Sequence, residues 1–265
     1  MENAIMQKIR LYIENVPLSF GAEFALTQAQ SHYAQHVMRL KIDAHLHLFD
    51  GISGEWLAKI TQISKKEVNV RVTEQTLPQT SSPDIWLAFA PIKAGRIDFL
   101  VEKATELGVS RLLPIKTERT ILGRVNVERL QAHAIEAAEQ SGRVDVPQVL
   151  QYQTLEQLLY DWSNENPDTN PNENLNDNLN EKPNIRPLIY GDESGQGRVA
   201  SDLLHNMNPP LALLIGPEGG FSASEFALFK QFPFMHPLNM GKRIMRADTA
   251  ALAGLTLLQN YCGDW

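Results

Sequence analysis

Cysteine is almost absent from this chain. Cys262 is the sole one in 265 residues, which excludes an internal disulfide and a cysteine-based metal cluster. It reads as a small core hydrophobe. Long apolar runs are missing too: no stretch approaches the roughly 18 uninterrupted apolar residues of a membrane span. Met1–Arg10 lacks the basic-then-apolar build of a signal peptide. The expectation is a soluble, cytoplasmic chain with no membrane partner.

A surplus of positive charge is also lacking. A net charge of −7 looks wrong for a protein that binds a polyanion, but the negative charge is unevenly spread. Between Asp161 and Asn184 six acidic residues stand against one lysine, a local net of −5 that leaves about −2 for the rest. That segment is asparagine-rich and nearly free of apolar side chains, so burial cannot offset the entropy of ordering it. We read residues 163–185 as a flexible insertion in a surface loop.

What is present suffices for proper cores: 43% hydrophobic residues, in a length that holds one large domain or two moderate ones. From Lys8 to about Pro78 strand patterns dominate. Ile9–Ile13, then Ala44, Leu46 and Leu48, then Val68, Val70 and Val72 alternate, the period of a half-buried strand. Asp50–Gly54 and Ser64–Glu67 supply turns. One helix is expected over about Gln28 to Leu40, with Tyr33, Val37 and Leu40 on one face. Short strands around a single helix suggest a small barrel. On the helix's other face lie His32, His36 and Arg39. The His32/His36 spacing permits a shared metal ion, yet no third ligand stands in register, so a solvated or phosphate-facing surface is expected and no metal. His45 and His47 share one side of a strand, read as its polar outer face.

Thr80–Asp84 is a polar, proline-containing boundary, dividing the chain into 1–79 and 84–265. Beyond it, strands are expected at Ile85–Ala90, Arg111–Ile115 and Pro187–Tyr190. They alternate with helices over Ile97–Leu107, closed by Gly108, and about Glu128–Gln140 and Thr154–Trp162. Strands alternating with helices imply a largely parallel sheet covered on both sides. Lys93, Arg96, Lys103, Arg119, Arg124 and Arg143 lie off the apolar stripes. Singly they are ordinary surface cations; as a set they could hold an RNA backbone.

From Leu211 to Leu258 a strand, loop and helix unit is written twice. Leu211–Ile215 runs into Gly216-Pro-Glu-Gly-Gly220, and His236–Met240 runs into Gly241-Lys-Arg-Ile-Met-Arg246. The first loop can expose bare amides to a ligand, and Ser222 with Glu225 forms a capping box that starts a helix. Asp248 suits the start of the second, nearly all-apolar helix. Competing with this, Gly195-Gln-Gly197-Arg-Val-Ala200 satisfies a dinucleotide-binding fingerprint. Four residues separate it from the preceding strand, too loose for the tight turn a pyrophosphate requires.

Gly216-Pro-Glu-Gly-Gly220 followed by Gly241-Lys-Arg-Ile-Met-Arg246-Ala-Asp248-Thr-Ala250 resembles the signature of the bacterial 16S rRNA uridine N3-methyltransferase family, of the knotted SPOUT class. His36-Val-Met-Arg39, Phe49-Asp-Gly51, Lys93, Glu118-Arg119 and Glu139-Gln-Ser-Gly-Arg143 match its pattern more loosely. The family usually has Leu where Met240 and Met245 stand, and Glu where Asp248 stands. The resemblance implies an α/β trefoil-knot methyltransferase domain behind a PUA-like RNA-binding barrel, with S-adenosylmethionine bound bent in a deep cleft. Leu214, Gly216, Gly219, Gly220, Met240, Gly241, Ile244, Met245 and Arg246 would line that cleft. Arg246 is the candidate for stabilising charge on the uracil, and Arg10, Arg39, Lys93 and Arg143 for gripping RNA. Glu218 is read mainly as holding its own loop. The implied partners are 16S rRNA or the assembled 30S subunit and a second copy of the chain. A non-enzymatic RNA-binding protein keeping this fold is the third reading, against which the two loops stand intact.

Overall fold

The computed structural model describes residues 8–93, 95–164 and 186–265. Beyond its first two residues, the asparagine-rich stretch 163–185 lies outside the described residues. The chain forms two compact units. One comprises residues up to Ser81 with Ile135–Val146; the other comprises Ser82–Ala134 with Pro147–Trp265.

In the first unit β1 (Arg10–Tyr12), β2 (Glu23–Ala25), β3 (His45–Phe49), β4 (Glu55–Ile63) and β5 (Val68–Leu77) form one sheet in the order β1-β3-β4-β5-β2. All pairings are antiparallel except β1 with β3. The alternating residues point into a core of Leu11, Leu46, Leu48, Ala58, Ile60, Val68, Val70 and Val72. Strand β4 escapes the sequence reading because its register on β5 shifts three times, and each bulge breaks the period of two. The expected helix begins on schedule: Thr27 and Gln30 make a reciprocal capping box at the start of α1 (Gln28–His32). It then widens into a π-helical turn, Tyr33–Val37, in which the Met38 N–H donates to the Tyr33 carbonyl at 2.9 Å. Arg39 enters the left-handed region (φ 53°), and the helix ends at Val37, three residues short of the expected Leu40.

The second unit holds a sheet whose pairings are all parallel. Its strands are β6 (Ile85–Phe89), β7 (Arg111–Lys116), β8 (Gln148–Val149), β9 (Gln153–Thr154), β10 (Leu188–Gly191), β11 (Arg198–Val199), β12 (Leu211–Ile215) and β13 (Met235–Asn239). The order is β11-β13-β10-β12-β6-β7-β8, with β9 beside β7. Its helices are α2 (Arg96–Glu106), the first half of α3 (Val127–Ser141), α4 (Leu155–Asn164), α5 (Ala200–Leu204), α6 (Ala223–Phe229) and α7 (Ala247–Cys262); α3 from Ile135 onward belongs to the first unit. β6 and β12 are buried along their whole length, as central strands covered on both faces must be. Ile85, Leu87 and Phe89 join the core beneath α2 and α7, while Trp86 and Ala88 join the one beneath α4 and α6. Each fully buried Leu in these layers contributes about 2 kcal/mol.

Helix α7 approaches β12 through Gly254. A Cβ there would stand 2.7 Å from Leu213 Cδ2, and Leu213 is fully buried, so Gly254→Ala would overpack the core at about 2 kcal/mol. Gly108 closes α2 with φ 82°, as the sequence suggests. At the amino ends of β6, β10 and β12, the buried Arg186 stitches the strands together. Its guanidinium lies over the Trp86 ring at 3.8 Å and donates to Asp84 Oδ2 at 2.6 Å and to the Leu211 carbonyl at 3.2 Å.

Candidate functional site

At the opposite, carboxyl ends of β10, β12 and β13 three loops converge on a cleft of about 700 Å3 including its open mouth. Ligand clefts in open parallel sheets form at this end, where strand order reverses. Here β6 and β12 are neighbours, and the chain leaves β6 for β7 on one side and β12 for β13 on the other.

The β12 loop forms the first wall. Its Gly220 N–H donates to the Pro217 carbonyl at 2.9 Å, closing a tight turn, and Gly220 has φ 67°. The Phe221 ring lies 3.1 Å from where a Cβ on Gly216 would be, so the turn is sealed by aromatic packing on bare backbone. Ser222 and Glu225 then cap α6 reciprocally, as their spacing foretold. The β13 loop forms the second wall. Asn239 Oδ1 accepts from the Gly241 N–H at 2.8 Å, and its Nδ2 donates to the Gly195 carbonyl at 3.2 Å. Met240 Cε sits 2.8 Å from the position of a Cβ on Gly191, so its thioether fills the gap between two strand ends.

Gly216, Gly220, Met240, Gly241, Ile244 and Met245 line the cleft together, beside Glu218. Ile244 is 88% exposed, an apolar side chain held out at the rim. The other expected lining residues fall elsewhere. Leu214 is fully buried in the core beneath α4 and α6, because strand alternation turns it away from the opening; its neighbour Ile215 lines the cleft instead. Gly219 lies in the same turn but outside the lining, its carbonyl accepting from Arg119 Nη1 at 2.7 Å. Arg246 caps α7 with its backbone and stands exposed between the lining residues Met245 and Ala247.

The sequence reading missed the third wall, Gly191, Asp192 and Glu193. Asp192 is buried, with its Oδ1 accepting from the Ser194 N–H at 2.9 Å and hydroxyl at 2.6 Å. The Glu193 carboxylate lies over Gly220, 1.9 Å from where a Cβ would be. The available signal was Gly191-Asp-Glu-Ser194 directly after an expected strand, taken only as a spacer before the dinucleotide fingerprint. The fingerprint itself has a packing role: a Cβ on Gly197 would stand 2.9 Å from the Asn239 backbone nitrogen, and the α5 that follows spans only five residues.

Among the RNA candidates, Arg39 and Lys93 are exposed. Arg10 is corrected: it is 7% exposed, donating to Glu55 Oε2 at 2.6 Å and to the carbonyls of Ala138, Glu139 and Arg143 at 2.8, 3.0 and 2.6 Å. Four of its five N–H donors are engaged, and a side chain so buried is not presented to a phosphate. Arg143 is held by Asp145 at 3.0 and 3.1 Å, its side chain 9% exposed. His47 is half-buried, with Nδ1 3.1 Å from Glu55 Oε1, and burial lowers its pKa, with Lys8 adding to the effect. The His32 and His36 rings lie 4.7 Å apart. Among the described residues no group of three His, Cys, Asp or Glu side chains is placed to hold a metal, and no helix is long and apolar enough to cross a membrane.

Two family models match the chain: an RNA methyltransferase domain over residues 79–259 and an RNA methyltransferase PUA domain over residues 26–73. Ribosomal RNA small subunit methyltransferase E of Rickettsia conorii is 32% identical over 98% of this chain and 99% of its own. The enzyme of the same name from Neisseria gonorrhoeae, solved bound to S-adenosyl methionine, superposes with a TM-score of 0.81 at 25% identity, covering 97% of this chain and 99% of that one. A Legionella pneumophila protein solved in complex with the bound cofactor SAM superposes at 0.80 with 28% identity, covering 98% of this chain and 100% of that one. The chain belongs to the RNA methyltransferase family that includes ribosomal RNA small subunit methyltransferase E.

Proposed function

We propose that this protein transfers a methyl group from S-adenosylmethionine to N3 of a uridine in the 16S rRNA of the small ribosomal subunit, in the cytoplasm. The observation that carries the reading is the convergence of the loops after β10, β12 and β13 on one cleft. The names of the Rickettsia and Neisseria relatives support the substrate class, and the bound molecule in the Neisseria and Legionella structures supports the donor.

The lining fits such a donor. Ile215, Phe221, Met240, Met245 and Ala250 offer apolar surface to an adenosyl group, glycine backbone lets it approach closely, and Glu193 and Glu218 supply carboxylates suited to its cationic end. When bound, S-adenosylmethionine supplies a methyl already activated on a sulfonium, so the chain's task is placement and charge management. Arg246, exposed between the lining residues Met245 and Ala247, takes in this reading the role of stabilising negative charge that develops on the uracil as N3 loses its proton. The base must be unpaired or flipped from its stack to enter. Arg39 and Lys93 are the exposed cations for the RNA backbone.

The same reading includes closure of the first sheet into a PUA-like barrel, a trefoil knot in the domain 84–265, and a homodimer with the site at its interface. These rest on the motif resemblance. Mass mapping of 16S rRNA from cells lacking the gene tests the assignment. Loss of N3-methyluridine, restored by the wild-type chain, is expected; full retention would overturn it.

A further inference from the structure

The β12 wall of the cleft does not hold its shape alone. The loop after β7 folds on itself, with the Thr117 N–H donating to Thr120 Oγ1 at 2.9 Å, and reaches the wall at two places. At one, Arg119 Nη1 donates to the Gly219 carbonyl at 2.7 Å. The same peptide unit is held from its other end, since the Gly220 N–H donates to the Pro217 carbonyl at 2.9 Å. The 219–220 peptide plane is therefore pinned on both sides, between two glycines that otherwise have the widest conformational freedom of any residue.

At the second place one carboxylate serves both loops. Glu225, 4% exposed, accepts the Ser222 N–H on Oε2 at 2.7 Å and the Glu118 N–H on Oε1 at 2.9 Å. Ser224 Oγ returns a hydrogen bond to Glu118 Oε2 at 2.9 Å. The capping box of α6 is thus also the clasp between the β7 loop and the cleft wall.

We propose that Glu118 and Arg119 are positioning residues for the donor cleft. They order the Gly216–Gly220 wall before ligand arrives, so that binding does not carry the entropic cost of ordering two glycines. The inference rests on the cleft being the S-adenosylmethionine site. Arg119 does not touch the reacting atoms; it acts through the Gly219 carbonyl.

The test compares wild type, Arg119→Ala and Arg119→Lys. Titration calorimetry with S-adenosylmethionine is paired with hydrogen exchange of the 216–222 segment in the ligand-free protein. Loss of one charge-assisted hydrogen bond should weaken donor binding about tenfold in Arg119→Ala. It should raise KM for the donor far more than it lowers kcat, and speed exchange in that segment alone. Arg119→Lys, which can still donate to one carbonyl, should recover most of each effect. Wild-type affinity and exchange in Arg119→Ala would overturn the proposal. So would accelerated exchange throughout the unit with no rescue by lysine, the mark of a general folding role. If wild type itself bound no S-adenosylmethionine, the cofactor reading would fail instead, and the exchange measurement would still decide whether Arg119 orders the wall.

Discussion

Arg96 donates from both Nε, at 2.9 Å, and Nη2 to a single oxygen of Asp248, joining the first turn of α2 to the first turn of α7. At the far ends of the same two helices Gln259 Nε2 donates to the Leu107 carbonyl at 2.6 Å. The helices therefore run side by side in the same direction, tied at both ends. The shorter carboxylate at 248 has a partner within reach, and its other oxygen accepts the Thr249 N–H at 2.8 Å.

Burial alone would raise the Asp248 carboxyl, but the hydrogen bonds from Arg96 and Thr249 outweigh it and hold the pKa below its ordinary value. Asp248→Ala should destabilise the protein by about 2 kcal/mol, the scale of a charged hydrogen bond left without one partner. Urea unfolding measures the loss. Because Ala247 lines the cleft, donor affinity should fall with it, whereas Asp248→Glu should retain both properties.

Glu55 has no exposed surface on its side chain. Burial pushes its carboxyl up, yet hydrogen bonds from Lys8, Thr76 and Arg10 prevail and bring it to about 2 from 4.5. A depressed folded-state pKa means stabilisation that is complete above about 4.5 and is lost as pH falls toward 2, about 3 kcal/mol in all. Unfolding free energy followed from pH 7 to pH 3 should decline in the wild type. In Glu55→Gln it should start lower and change less over that window.

Arg10→Ala removes the cation beside that carboxylate and should cost about 4 kcal/mol, the scale for breaking a buried pair. A variant that kept wild-type stability but lost RNA affinity would restore Arg10 to the RNA surface.

Arg246→Ala should lower methyl transfer about a hundredfold, comparable to deleting one preorganised donor to a developing anion. S-adenosylmethionine affinity should stay within about threefold of wild type, since Arg246 is exposed and is not among the residues that line the cleft. Single-turnover assays alongside equilibrium binding separate the two. Unchanged turnover would remove Arg246 from the chemistry.

Gly220→Ala places a side chain at φ 67°, a strain of about 1 kcal/mol. It also drives a Cβ to 1.9 Å from Glu193 Oε1, forcing that carboxylate to move. Donor affinity should drop about tenfold with the melting temperature little changed. Titration with S-adenosylmethionine checks it, and equal affinity would show that this wall is not part of the site.

Elements specified by neighbours in the chain were legible. Ser222 and Glu225 are three residues apart, and their capping box needs nothing else. Gly108 ends α2 because a left-handed residue is wanted there, and Ile85–Ala90 reads as a strand because every residue in it is apolar. Strand β4 was not legible, since its bulges are matched to β5 and cancel its own alternation. Leu214 and Ile215 differ in role only through the face each turns to, which is set by the register on β6 and β10.

Sequence by itself determined the parallel α/β sheet, the two glycine loops and their common destination in a methyltransferase family. Those are products of short-range spacing, where the backbone has few choices. Only the tertiary structure decided that Arg10 is bound to Glu55, that Gly219 answers to Arg119, and that Glu193 supplies a third wall. Each of those pairs is separated by tens of residues or more, so the partner that satisfies a buried charge or a loop carbonyl is chosen by how the strands assemble, and no local pattern encodes it.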